Sequence, residues 1–83
     1  MNNKDYVVME YYDMRVVGER KDVMAFCEEG MVFCEGSERD RLVDIWLDAK
    51  AGRRFCQDWR IYDDKDPYAG RRRKMTWEEF YEG

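Results

Sequence analysis

Branched aliphatic residues are scarce in this chain: of 83 residues, two are Leu, two Ile and seven Val. A chain of this length buries only about 60–65% of its unfolded surface on folding. Whatever replaces the aliphatics therefore decides whether it folds at all. The replacement is aromatic, with six Tyr, four Phe and three Trp, supplemented by six Met. Leu, Ile, Val and Phe together reach only 18% of the residues, a level found in disordered chains. Disorder, however, also needs few aromatics and a large net charge. Here 15 Lys and Arg oppose 19 Asp and Glu, a net of -4. The expectation is one small domain over residues 1–83, with a thin core of Val, Met and aromatics.

The polar inventory excludes several chemistries. There is no His, and Ser37 and Thr76 are the sole hydroxyl residues of their kinds. No Ser-His or Cys-His nucleophile pair can be assembled from that set. Carboxylates could still do acid-base work, but a chain this short has little volume for a substrate cleft. The expectation is a protein that is not an enzyme and uses no cofactor. Cys27, Cys34 and Cys56 are an odd count at wide spacing. That suits neither a secreted disulfide framework nor a structural zinc site, so no metal is expected. No run nears the roughly 20 apolar residues of a membrane span, and Met1 to Asp5 lacks an apolar signal core. Free thiols and the missing signal predict a cytoplasmic protein with no membrane partner.

Periodicity predicts the elements. Tyr6 to Val17 is rich in Val, Tyr and Met, good strand formers. It reads as one long strand, or as two pieces with a bulge near Tyr11-Tyr12. Val23, Met24, Phe26 and Cys27 recur at helical spacing, with Gly30 as the expected stop. The alternative over 20–35 is a β-hairpin. Met31 to Cys34 reads as a short buried strand. Ser37 to Lys50 is the clearest helix, with Ser37 as N-cap, Asp40 at N3, and Leu42, Ile45, Trp46 and Ala49 as its apolar stripe. Gly52 is its stop. Arg53 to Tyr62 alternates, with Phe55, Trp59 and Ile61 predicted inward and Arg54, Asp58 and Arg60 outward. Residues 63–75 read as a flexible charged loop. Thr76-Trp77-Glu78-Glu79 is a capping-box pattern that opens a short helix over 76–82. The fold expected is α+β: a three- or four-stranded sheet covered by two helices, in the order β-α-β-α-β-loop-short α. The hairpin alternative gives β-β-β-α-β-α.

Three constellations bear on function. Asp40, Asp44 and Asp48 repeat every four residues and would line one face of the central helix. Three carboxylates in a row resemble a short run of phosphates in spacing and sign, so this ridge suits the basic face of a nucleic-acid-binding protein. The plainer reading is a solvated helix face offset by Arg41. Arg71, Arg72, Arg73 and Lys74 form a basic cluster with Trp59, Tyr62, Tyr68 and Trp77 nearby in sequence. Basic residues among aromatics can hold single-stranded nucleic acid, although Asp63, Asp64 and Asp66 would repel phosphates. Trp77 and Tyr81, on a terminal helix with little to bury against, are the expected interface anchors.

No stretch matches a family motif. In type, a tiny, acidic, His-free, aromatic-rich chain resembles the small inhibitors encoded by phages and mobile elements, anti-CRISPR proteins among them. That resemblance implies a protein that occupies the surface of a larger partner, such as a nucleic-acid-handling complex. The acidity is also uneven: residues 1–51 carry a net of -5 and residues 52–83 a net of +1.

Overall fold

The computed structural model describes residues 5–58 and 70–82. The chain folds as a small α+β domain with a four-stranded mixed sheet. Its elements are β1 (Tyr6–Tyr11), β2 (Met14–Glu19), α1 (Arg20–Phe33), α2 (Gly36–Lys50), β3 (Phe55–Gln57), β4 (Arg73–Thr76) and α3 (Trp77–Glu82). The strand order is β3-β1-β2-β4. The central pair is antiparallel, while β3 lies parallel to β1 and β4 parallel to β2. Among the described residues, no helix is long and apolar enough to cross a membrane.

The stretch Tyr6 to Val17, expected as one long strand or as two pieces with a bulge, is instead a tight antiparallel hairpin. Tyr11 pairs with Met14, leaving Tyr12 and Asp13 as a two-residue turn. Such turns favour Gly where φ is positive, yet Tyr12 adopts φ 54°. Its ring lies 4.8 Å from the Arg41 guanidinium and its hydroxyl donates to Glu38. Contacts to α2 thus hold a backbone conformation that Tyr rarely takes by itself.

One face of the sheet packs on the helices. Val7 and Met9 of β1, Val16 of β2 and Cys56 of β3 meet Val23 and Cys27 of α1 and Leu42, Ile45 and Ala49 of α2. The opposite face carries Glu10, which interrupts the apolar alternation of β1. Glu10 is buried, accepts from Gln57 Nε2 at 3.1 Å and forms an ion pair with Arg15. A carboxylate out of water needs such donors.

Four further local expectations differ from the structure. Residues 20–33 form one helix, which excludes both the hairpin and a strand at Met31 to Cys34. Gly30 is not a stop: a Cβ there would sit 2.6 Å from Leu42 Cδ1, so the glycine lets α1 and α2 approach closely. The helix continues to Phe33 because that approach buries its inner face. Second, α2 starts at Gly36, so Ser37 lies inside the first turn, and no side chain caps that end. Third, β3 presents the other face to the core. Pairing Met9 with Cys56 turns Cys56 and Asp58 inward and leaves Phe55 exposed. Asp58 is fully buried against Arg41 Nη1 at 2.8 Å. Fourth, part of the expected loop is β4, aligned along β2. Residues 59–62 of the expected strand and 63–69 of the expected loop lie outside the described residues.

Arg20 closes the layer between sheet and helices. It donates to the carbonyls of Ala49 at 2.7 Å and Arg53 at 2.8 Å, and pairs with Asp5. An arginine on the last carbonyls of a helix satisfies acceptors that have no intrahelical partner. Here that arginine comes from a different helix, 29 residues earlier in the chain.

Candidate interaction surface

The terminal helix is positioned by its cap and by one aromatic ring. Thr76 and Glu79 form the expected reciprocal capping box, with Glu79 N–H donating to Thr76 Oγ1 at 3.2 Å and Thr76 N–H to Glu79 Oε1 at 3.1 Å. Phe26 of α1 then stands edge-on to Phe80, Trp77 and Tyr81, with centroid separations of 5.2, 6.1 and 6.5 Å. Edge-to-face rings attract through their quadrupoles beyond simple area burial. Gly18 of β2 makes room for Trp77, whose Cε3 lies 2.8 Å from where a Cβ would be. Trp77 is therefore a docking residue for its own domain and only half-exposed. Tyr81 is 59% exposed; Phe33, which lines the same groove, is 80% exposed, and Val32, the residue before it in α1, is 77% exposed.

Phe26, Glu29, Gly30, Phe33 and Tyr81 line an open groove of about 230 Å³ between α1 and α3. Burial, then the charges of Glu29 and Asp22, raise the pKa of the Tyr81 hydroxyl. The last turn of α1 holds no basic residue of its own to offset the negative end of its dipole. The groove is lined mainly by aromatic rings, with the carboxylate of Glu29 among them.

The acidic ridge does not run along a single exposed face. Asp40 is exposed, Asp44 half-buried and Asp48 only 5% exposed. Residues four apart drift by about 40° per step around an α-helix, and two steps carry Asp48 from solvent to the sheet side. There it accepts from the Gln57 N–H at 3.0 Å and faces Arg53 at 3.7 Å. Asp48 is thus an anchor between α2 and β3, and as a contact residue it is corrected to an internal one.

The basic cluster is divided as well. Arg71 and Arg72 precede β4, while Arg73 and Lys74 lie within it. Successive strand residues point to opposite faces. Arg73 pairs in register with Met14 and forms an ion pair with Asp13 at 3.5 Å, whereas Lys74 pairs with Arg15. The four cations do not share one face.

Val32 and Phe33 were expected in a short buried strand and are instead exposed at the end of α1. The signal was present: Val23, Cys27, Gly30, Met31 and Cys34 extend the i, i+4, i+7 pattern through Gly30, which shifts Val32 and Phe33 to the outside. Reading Gly30 as a stop hid it.

The three cysteines are free. Burial pushes the Cys27 thiol up to about 12 and the Cys56 thiol up to about 11. Both are poor nucleophiles at neutral pH, since the thiolate is the reactive form. Among the described residues, no group of three His, Cys, Asp or Glu is placed to hold a metal ion. No family model, no curated protein and no solved structure matches this chain.

Proposed function

We propose that this chain is a non-enzymatic binding protein that acts by occupying the surface of a larger protein. The observation that carries this reading is the exposure of Phe33 and Tyr81 at one groove, with Val32 exposed next to Phe33 in the chain. Large apolar side chains grouped in water mark interaction sites on small soluble domains. Glu29 among them, with Asp40 exposed at the start of α2, favours a partner with a basic face. An inhibitor of a nucleic-acid-handling machine, of the kind phages and mobile elements encode, is the specific form we favour. Free thiols suit a reducing cytoplasm. Tagged full-length chain, incubated with host lysate with and without nuclease, tests the reading by mass spectrometry of the retained proteins. A stoichiometric partner that survives nuclease is expected. Retention that vanishes with nuclease would overturn the reading in favour of nucleic-acid binding through Arg71, Arg72, Arg73 and Lys74.

A further inference from the structure

Resting on that reading, we infer that the groove lined by Phe26, Glu29, Gly30, Phe33 and Tyr81 is the docking site for a basic segment of the partner, which inserts one apolar side chain between Phe33 and Tyr81 and sets Arg or Lys beside Glu29.

Two rival occupants fit less well. The first is a second copy of this chain. An aromatic side chain offers roughly 200 Å², so at 80% and 59% exposure Phe33 and Tyr81 leave only about 280 Å² open. A stable dimer needs about 800 Å² from each partner. A two-fold interface also presents the same patch to itself, which would set Glu29 near its own copy. The second rival is an acidic or neutral partner. Glu29 lines the groove, and Asp22, about two turns earlier on α1, acts together with it on the Tyr81 hydroxyl. The carboxyl end of α1, whose last turn carries no basic residue, adds the same sign. Lys21 is the one cation on the exposed side of α1. Among the described residues, the carboxylates of Glu29 and Asp22 favour positive charge here.

The floor fits one side chain. Gly30 has no side chain to project between Phe26 and Phe33, and the space its Cβ would take is filled by Leu42 of α2. The groove of about 230 Å³ accepts a Leu, Met or Phe, and α1 and α3 supply aromatic walls on both sides. Apolar anchor and charged rim have different tasks: the anchor holds the complex, and the charges orient it and speed encounter.

The test uses the isotope-labelled full chain and three synthetic 12-residue peptides: one of Lys, Arg and Ala with a single central Leu, one with that Leu replaced by Ser, and one with every cation replaced by Glu. Amide shift mapping and fluorescence anisotropy are read at low and moderate salt. The Leu-bearing basic peptide is expected to bind and to shift the amides of Gly30, Phe33 and Tyr81. Its affinity should fall at least tenfold with Phe33→Ser, severalfold with Glu29→Lys, and on raising salt. Both positions are exposed, and circular dichroism confirms that the variants fold. The Ser and Glu peptides should bind at least tenfold more weakly. Equal binding of the acidic peptide, shifts confined to other surfaces, or an unchanged affinity in Phe33→Ser would each overturn the assignment. So would a dimer in sedimentation equilibrium that Phe33→Ser abolishes. A nuclease-resistant partner still captured by Phe33→Ser would refute this groove while leaving the protein-binding role intact.

Discussion

Replacing Asp48 with Ala separates an internal anchor from a contact residue. Asp48 is 5% exposed and accepts the backbone N–H of Gln57 at 3.0 Å. Removing the carboxylate leaves that donor without this acceptor, a loss of about 1–3 kcal/mol for a buried group. The ion pair to Arg53 spans 3.7 Å, and the arginine is 58% exposed, so solvent screening limits its share to about 0–1 kcal/mol. Asp48→Ala should therefore cost about 2–3 kcal/mol, against a total stability on the order of 4–12 kcal/mol for a domain of this size. With a urea m-value of about 1 kcal/mol per molar, the unfolding midpoint should fall by about 2–3 M. Asp48→Asn keeps an acceptor oxygen and should lose about half as much. Asp40→Ala, at an exposed position, should stay within about 0.5 kcal/mol of the parent. Urea melts followed by circular dichroism read all three. Equal midpoints for Asp48→Ala and Asp40→Ala would refute the anchoring role and return Asp48 to an ordinary solvated face.

Two further outcomes follow from buried groups. Burial lifts the thiols of Cys27 and Cys56 from 9.0 to about 12 and about 11, and burial with the nearby Glu38 charge lifts the Tyr11 hydroxyl from 10.0 to about 12. Above pH 9 the unfolded chain sheds these protons while the folded chain keeps them, so stability falls as pH rises. The urea midpoint should hold between pH 7 and 8.5 and drop steadily from about 9 to 11; a flat midpoint across that range would contradict the burial. Gly18→Ala puts a Cβ 2.8 Å from the Trp77 ring, an overpacking cost of about 1–3 kcal/mol. The ring is wedged against Phe26, so α3 should loosen and tryptophan emission shift to the red. Unchanged emission would show that Trp77 does not dock on β2.

Periodicity was reliable where a segment buries one stripe against a neighbour, as in α2, whose Leu42, Ile45 and Ala49 face inward. Local chemistry was equally informative at Thr76 and Glu79, because a capping box is satisfied within four residues. It misled at Gly30. A glycine that ends a helix and a glycine that lets two helices touch look alike until the second helix is placed. It also misled over Asp48, because a four-residue repeat marks neighbours on a helix but not which side of the helix meets the sheet. The orientation of β3 had the same origin: three residues alternate equally well in either sense, and only pairing with Met9 sets Cys56 inside.

From the sequence alone came a small α+β domain, the central helix, the terminal capping box and the lack of an imidazole. Each of these depends on residue type or on contacts a few positions apart. The core expected from Val, Met and aromatics is instead Val, Leu, Ile, Ala and Cys with Met9, and aromatics pack around it only partly buried. The tertiary structure decided the rest, because those features depend on contacts across the chain. Arg20 closes the end of α2 from 29 residues away. Glu10 and Asp58 are held inside by Arg15 and Arg41. Phe33 and Tyr81, 48 positions apart in the sequence, meet at one groove because Phe26 docks α3 against α1.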